Sequence, residues 1–120
     1  MPHLSMRNTL GWTVLCAVLA FAGCRSIDEM APPVNETLLA SAGAAGQPAD
    51  RLERGRKIYL KQCIACHTVQ PVDGWSIAEW EKILPEMNEE SHLSAAQGED
   101  LWAYIRTAHA HLATNKPAAK

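Results

Sequence analysis

The chain has 120 residues and a formal charge of −2, so it holds one small domain once any targeting segment is set aside. The near-neutral balance gives no basis for binding nucleic acid. The cysteines, Cys16, Cys24, Cys63 and Cys66, are not spaced as a disulfide framework. Aromatic residues are few, and four of the seven are tryptophan.

The N-terminus reads MPHLSMRNTLGWTVLCAVLAFAGC. Arg7 gives a positive start, with Met1 or Met6 as initiator, and the apolar run from Thr9 to Ala22 is shorter than the ~20 residues of a membrane span. Small residues directly before Cys24 complete a pattern that resembles the bacterial lipoprotein signal, with Phe21 where leucine is commoner. The resemblance implies cleavage after residue 23, acylation of Cys24, and a periplasmic protein anchored to the inner or the outer membrane. Three acyl chains exceed what stable anchoring needs. An ordinary cleaved signal and an uncleaved anchor are the alternatives.

Residues 24–49 are rich in Ala, Pro, Gly and Ser without a sustained apolar period. After Cys24, which the resemblance makes the lipidated residue, that composition predicts a disordered, flexible tether with a reach of ~25–30 Å. The domain itself is expected over 50–112, with a disordered tail over 113–120. Asp50-Arg51-Leu52-Glu53 has the form of a capping box and predicts a helix to about Cys63. Leu52, Gly55 and Tyr59 form its apolar stripe. A turn region runs from Thr68 to Gly74. Ser76 with Glu79 opens a second helix, with Trp75 and Trp80 as a hydrophobic staple and Pro85 ending or kinking it. Ser94 with Gln97 opens a third helix to about His111, whose stripe is Leu101, Tyr104, Ile105 and Ala108. No segment alternates as a strand, so the class is all-α. A folded part this small usually needs a staple.

At the end of the first helix stands Cys63-Ile64-Ala65-Cys66-His67. A thioredoxin-like dithiol belongs at the start of a helix after a strand. A structural zinc site wants a second ligand pair, and none is present. Two thiols three positions apart on a turn can each add to a vinyl group of one porphyrin, with the next imidazole aimed at the iron; C-x-x-C-H is the attachment signature of haem c. That chemistry takes place outside the cytoplasm, in keeping with the export signal.

Over roughly Asp50 to His109 the chain then resembles a small class I monohaem cytochrome c, through Gly55, Tyr59, Cys63, Cys66 and His67, with Tyr104 in Asp-Leu-Trp-Ala-Tyr-Ile of the last helix. The resemblance implies a compact three-helix fold around one covalent haem c. In it Gly55 admits the last helix, Tyr104 packs at the crossing, and Pro71 and Trp80 support the site. His67 would be the proximal iron ligand and Met87 the distal one, with His92 as the rival and His109 and His111 reading as a fraying helix end. The segment from His67 to Met87 is short for the family, and Val69-Gln70-Pro71 replaces its usual Gly-Pro. The implied role is non-enzymatic: a tethered electron carrier, or the cytochrome subunit of a redox complex. Partners would be redox proteins and the membrane, with no small-molecule substrate. Arg54, Lys57 and Lys61 fall on one helical face, a candidate docking face with Arg51 and Arg56 nearby, and Glu86, Glu89 and Glu90 flank Met87. The alternatives are a haem-based gas or redox sensor with a labile distal ligand, and a non-haem zinc or dithiol lipoprotein.

Overall fold

A computed structural model describes residues 25–63 and 70–116. Two short helices come first, α1 (Ile27–Met30) and α2 (Glu36–Leu39), then a 3₁₀ turn (Ala42–Ala44). Three longer helices follow: α3 (Ala49–Ile58), α4 (Ile77–Glu90) and α5 (Ala95–Asn115). Among the described residues there is no strand, and the class is all-α.

The two capping boxes that open α4 and α5 form as the sequence predicts. Ser76 accepts from the Glu79 N–H and Ser94 from the Gln97 N–H, while each N3 side chain returns to its cap backbone. The start of α3 differs. Its cap is Pro48, which brings no side-chain hydrogen bond, and Asp50 lies inside the first turn. There Asp50 pairs with Arg54 at 2.7 Å, and its acidic charge suits the helix N-terminus. Pro48 is preset at φ −64°, so the chain enters the helix two residues earlier than a capping aspartate would allow. At its other end α3 stops at Ile58, and a wider π turn carries the chain over Tyr59–Cys63.

Pro85 does not end α4, which runs on to Glu90. Proline removes one backbone donor, but the buried Trp80 and Leu84 hold the turns that lead into it against the core. The last helix also outruns its expected end near His111. It continues to Asn115, so 113–115 are helical rather than part of a tail.

The expectation of a flexible linker over 25–49 is corrected here. Residues 25–47 form a strap packed across the domain, with Ala31 and Leu38 fully buried and Ala44 nearly so. Each turn of the strap has its own stop or start signal. Ser26 and Glu29 form a capping box, and Asn35 caps α2 through the Leu38 N–H. The domain supplies the remaining partners. The Tyr104 hydroxyl donates to the Pro32 carbonyl at 2.9 Å, Thr107 to the Gly43 carbonyl at 3.0 Å, and Arg56 to the Ala31 carbonyl at 3.2 Å. Gly43 permits this approach, since a Cβ there would lie 2.8 Å from that of Ala110. Small residues suggest a coil by composition, but here they are what lets the strap lie close.

The centre of the fold is the crossing of α3 and α5. A Cβ on Gly55 would lie 2.1 Å from the Asp100 carbonyl oxygen and 2.6 Å from the Tyr104 Cβ. Around it lie both predicted stripes, all buried: Tyr59 packs in one cluster with Leu101, Tyr104, Ile105 and Ala108, while Leu52 packs with Ala44 and Ala103. Tyr59 stacks with a tilt on Tyr104 at 6.1 Å and edge-on to Trp80 at 6.2 Å, and Trp75 meets Trp80 at 4.9 Å.

Gly55→Ala pushes a methyl group against backbone, which cannot rotate away. It is expected to cost about 2–3 kcal/mol in denaturant unfolding. Leu38→Ala is expected to cost ~2–4 kcal/mol. An unchanged unfolding midpoint for Leu38→Ala would show that the strap adds nothing to the core.

Candidate functional site

The π turn after α3 delivers Cys63 to the rim of the core. Its side chain is half-buried against the cluster that holds Tyr59, Val72, Trp80, Leu84, Leu101, Tyr104 and Ile105. Burial in these apolar surroundings pushes the Cys63 thiol up to about 11. Burial also raises Tyr59, with the charges of Cys63 and Asp73 adding to it, and raises Tyr104. Both phenols therefore stay neutral hydrogen-bond donors throughout the physiological range.

Cys66 and His67 lie outside the described residues, as does Cys24. The chain is fixed on either side of the 64–69 segment. The Tyr59 hydroxyl donates to the Gln70 carbonyl, and the Trp80 indole N–H donates to the Val72 carbonyl at 2.9 Å. A tyrosine and a tryptophan of the core thus hold the strand of chain that returns from the motif. The Trp80 indole is committed to this role, while Trp75 is the half-buried staple partner. The Pro71 carbonyl accepts from the Gly74 N–H at 2.9 Å and closes the 3₁₀ turn Val72–Gly74.

Met87 is half-buried on α4, on the face that Trp80 and Leu84 turn inward, but it is not part of the cluster that Cys63 joins. His92 is exposed just beyond α4, in the left-handed region at φ 54°. His109 does not fray: it is half-buried, and its Nε2 lies 3.1 Å from the Trp75 carbonyl oxygen. Of the predicted site residues, the structure brings Gly55, Tyr59, Cys63, Trp80 and Tyr104 together and leaves Met87 and His92 to the side.

Of the expected basic face, Arg54 is paired within the molecule, as are its neighbours Arg51 and Arg56. Arg51 and Arg54 both reach Asp100, Arg54 also pairs with Asp50, and Arg56 pairs with Asp28. Lys57 and Lys61 remain exposed beside them. Glu86, Glu89 and Glu90 make no ion pair among the described residues. They crowd the carboxyl end of α4, where the helix dipole disfavours them, and no basic residue offsets them in the last turn.

Sequence reasoning missed Arg56 and the 26–32 segment as partners. The Ser26-Ile27-Asp28-Glu29 box was the available signal.

Around Cys63 the described residues form an apolar, partly aromatic wall that would suit a flat apolar group, burial keeps the thiol neutral, and the charge of Asp73 acts on Tyr59. Among the described residues, no three His, Cys, Asp or Glu side chains group around a metal position. No helix among them is long and apolar enough to cross a membrane. No protein-family model, curated protein or solved structure matches the chain.

In the chain made without any attached group, alkylation of Cys63 at pH 8 should run on the order of 100-fold slower than that of a free cysteine, since only the thiolate reacts. The thiol stays protonated to a higher pH in the folded state than in the unfolded one. Its contribution to stability is therefore complete below pH ~8.5 and is lost as pH rises from there toward 11. Peptide-resolved mass spectrometry reads the rate, and full reactivity at pH 8 would refute the buried site.

Proposed function

We propose that the protein is a monohaem c-type cytochrome, carrying electrons either as a membrane-anchored carrier or as a subunit of a redox complex. The observation that carries this reading is the position of Cys63. The first thiol of the Cys-x-x-Cys-His motif stands half-buried at the rim of a cluster rich in aromatics, about two turns after a glycine-mediated helix crossing. A zinc or dithiol site has no use for that apolar wall, whereas a porphyrin edge would pack on it.

In this reading Cys63 and Cys66 hold the group through thioethers and His67 is the proximal ligand. Met87 is favoured as the distal ligand over His92, because it sits half-buried on the inward face of α4 while His92 faces solvent. Bound there, haem would supply a one-electron iron couple. The chain's own part is to keep that couple dry. Tyr59 and Trp80 fix the returning chain, and Leu84 and Ile105 fill the wall behind it. A thioether ligand would raise the potential relative to a second histidine.

Protein matured in cells that assemble haem c should keep its colour after denaturation. In the ferric form it should show the weak far-red band of sulfur ligation, and Met87→Ala should remove that band and open the ferrous iron to carbon monoxide. A colourless protein would overturn the reading. Retention of the band in Met87→Ala would remove Met87 from the ligand set.

A further inference from the structure

We infer that the domain does not swing on a tether but is held against the bilayer in one orientation, with the last turn of α5 nearest the lipid. The inference rests on reading Cys24 as the lipidated residue. It begins from where the strap is first pinned. Arg25, one peptide bond and ~3.8 Å from Cys24, ion-pairs with Asp73 at 3.1 Å and donates to the Glu29 carbonyl at 2.9 Å.

The next seven residues give no slack. Ser26 and Glu29 close a capping box, Arg56 holds both Asp28 at 2.7 Å and the Ala31 carbonyl, and Tyr104 holds the Pro32 carbonyl. Ala31 and Pro32 are buried. An exposed ion pair alone adds little, but here it is the outermost of several fixings. A coil of about 25 residues would have given ~25–30 Å of free reach. The packed strap leaves almost none.

The lipid-side corner follows from what meets Arg25. A shallow groove of about 450 Å³ is bordered there by Arg25, Glu29, Asp73, Leu112, Asn115 and Lys116. The carboxyl end of α5 thus ends at the anchor point. Ile27, at 50 % exposure, is the more exposed of the two large apolar side chains that the described surface presents. It stands three positions from Cys24, where an interfacial side chain would settle among headgroups. The corner carries Arg25 and Lys116 against Glu29 and Asp73, so charge gives no net pull toward an anionic surface. The acyl anchor and the packed strap set the orientation, so salt weakens only the outermost Arg25–Asp73 pair and leaves the buried fixings in place.

The test uses the full acylated, haem-loaded protein on phospholipid vesicles, with a dye at either Asn115→Cys or Ala96→Cys and energy acceptors at the lipid surface. The two positions lie near opposite ends of a 21-residue helix, ~30 Å apart. Transfer, referenced to acceptor-free vesicles, should be at least about twofold higher from position 115 than from position 96 over that separation. It should stay so in high salt. A flexible Gly-Ser insert between Cys24 and Arg25, which leaves the fold untouched, should bring the two values together. Equal transfer without the insert, in protein shown by mass to be acylated, would overturn the fixed orientation alone. Protein that carries no acyl mass and does not bind vesicles would overturn the lipid reading, and this inference with it.

Discussion

The contact between the backbone of α5 and Gly55 is the constraint on which the rest of the structure depends. With the Asp100 carbonyl oxygen only 2.1 Å from where a Cβ would stand, the two helices meet main chain to main chain. That closeness sets Tyr59 beside Tyr104 and Trp80 and brings Asp100 within reach of Arg51 and Arg54. It also fixes the end of α3, and with it the place where Cys63 emerges. Glycine costs a helix about 1 kcal/mol of propensity. Here the loss is offset by a crossing that no other residue allows.

The long helices were legible because their signals are local. A serine three residues before Glu79, and another before Gln97, set the starts of α4 and α5, and period-3.6 stripes named the faces that are in fact buried. The role of Gly55 was legible for a different reason, since its place in a motif predicted a close crossing. What escaped was non-local. Ala31, Pro32 and Gly43 look like coil because small residues and prolines have no period, and their partners Arg56, Tyr104 and Thr107 lie far along the chain. The start of α3 was misplaced because Asp50 fits a capping pattern, yet Pro48 already fixes the backbone.

The candidate site was legible only in its chemistry. The Cys-x-x-Cys-His order resembles a haem c attachment signature, but no periodicity could show that Tyr59 and Trp80 would grip the Gln70 and Val72 carbonyls as the chain returns. The charges also read differently in space. A row of arginines looks like a docking face in one dimension, whereas in three dimensions Arg51, Arg54 and Arg56 hold the strap and the crossing together.

The strap has a consequence for the order in which the molecule is made. Its hydrogen bonds to α5 join residues 72 and 64 positions apart, Tyr104 to Pro32 and Thr107 to Gly43. Arg56 can hold Asp28 and the Ala31 carbonyl earlier, but the first part of the domain to be synthesised lacks its partners on the last helix until that helix exists. Contacts of such separation are slow to form, so the nascent chain stays open until synthesis is nearly complete. The same closure that makes the finished molecule rigid postpones its folding until the whole chain has been made.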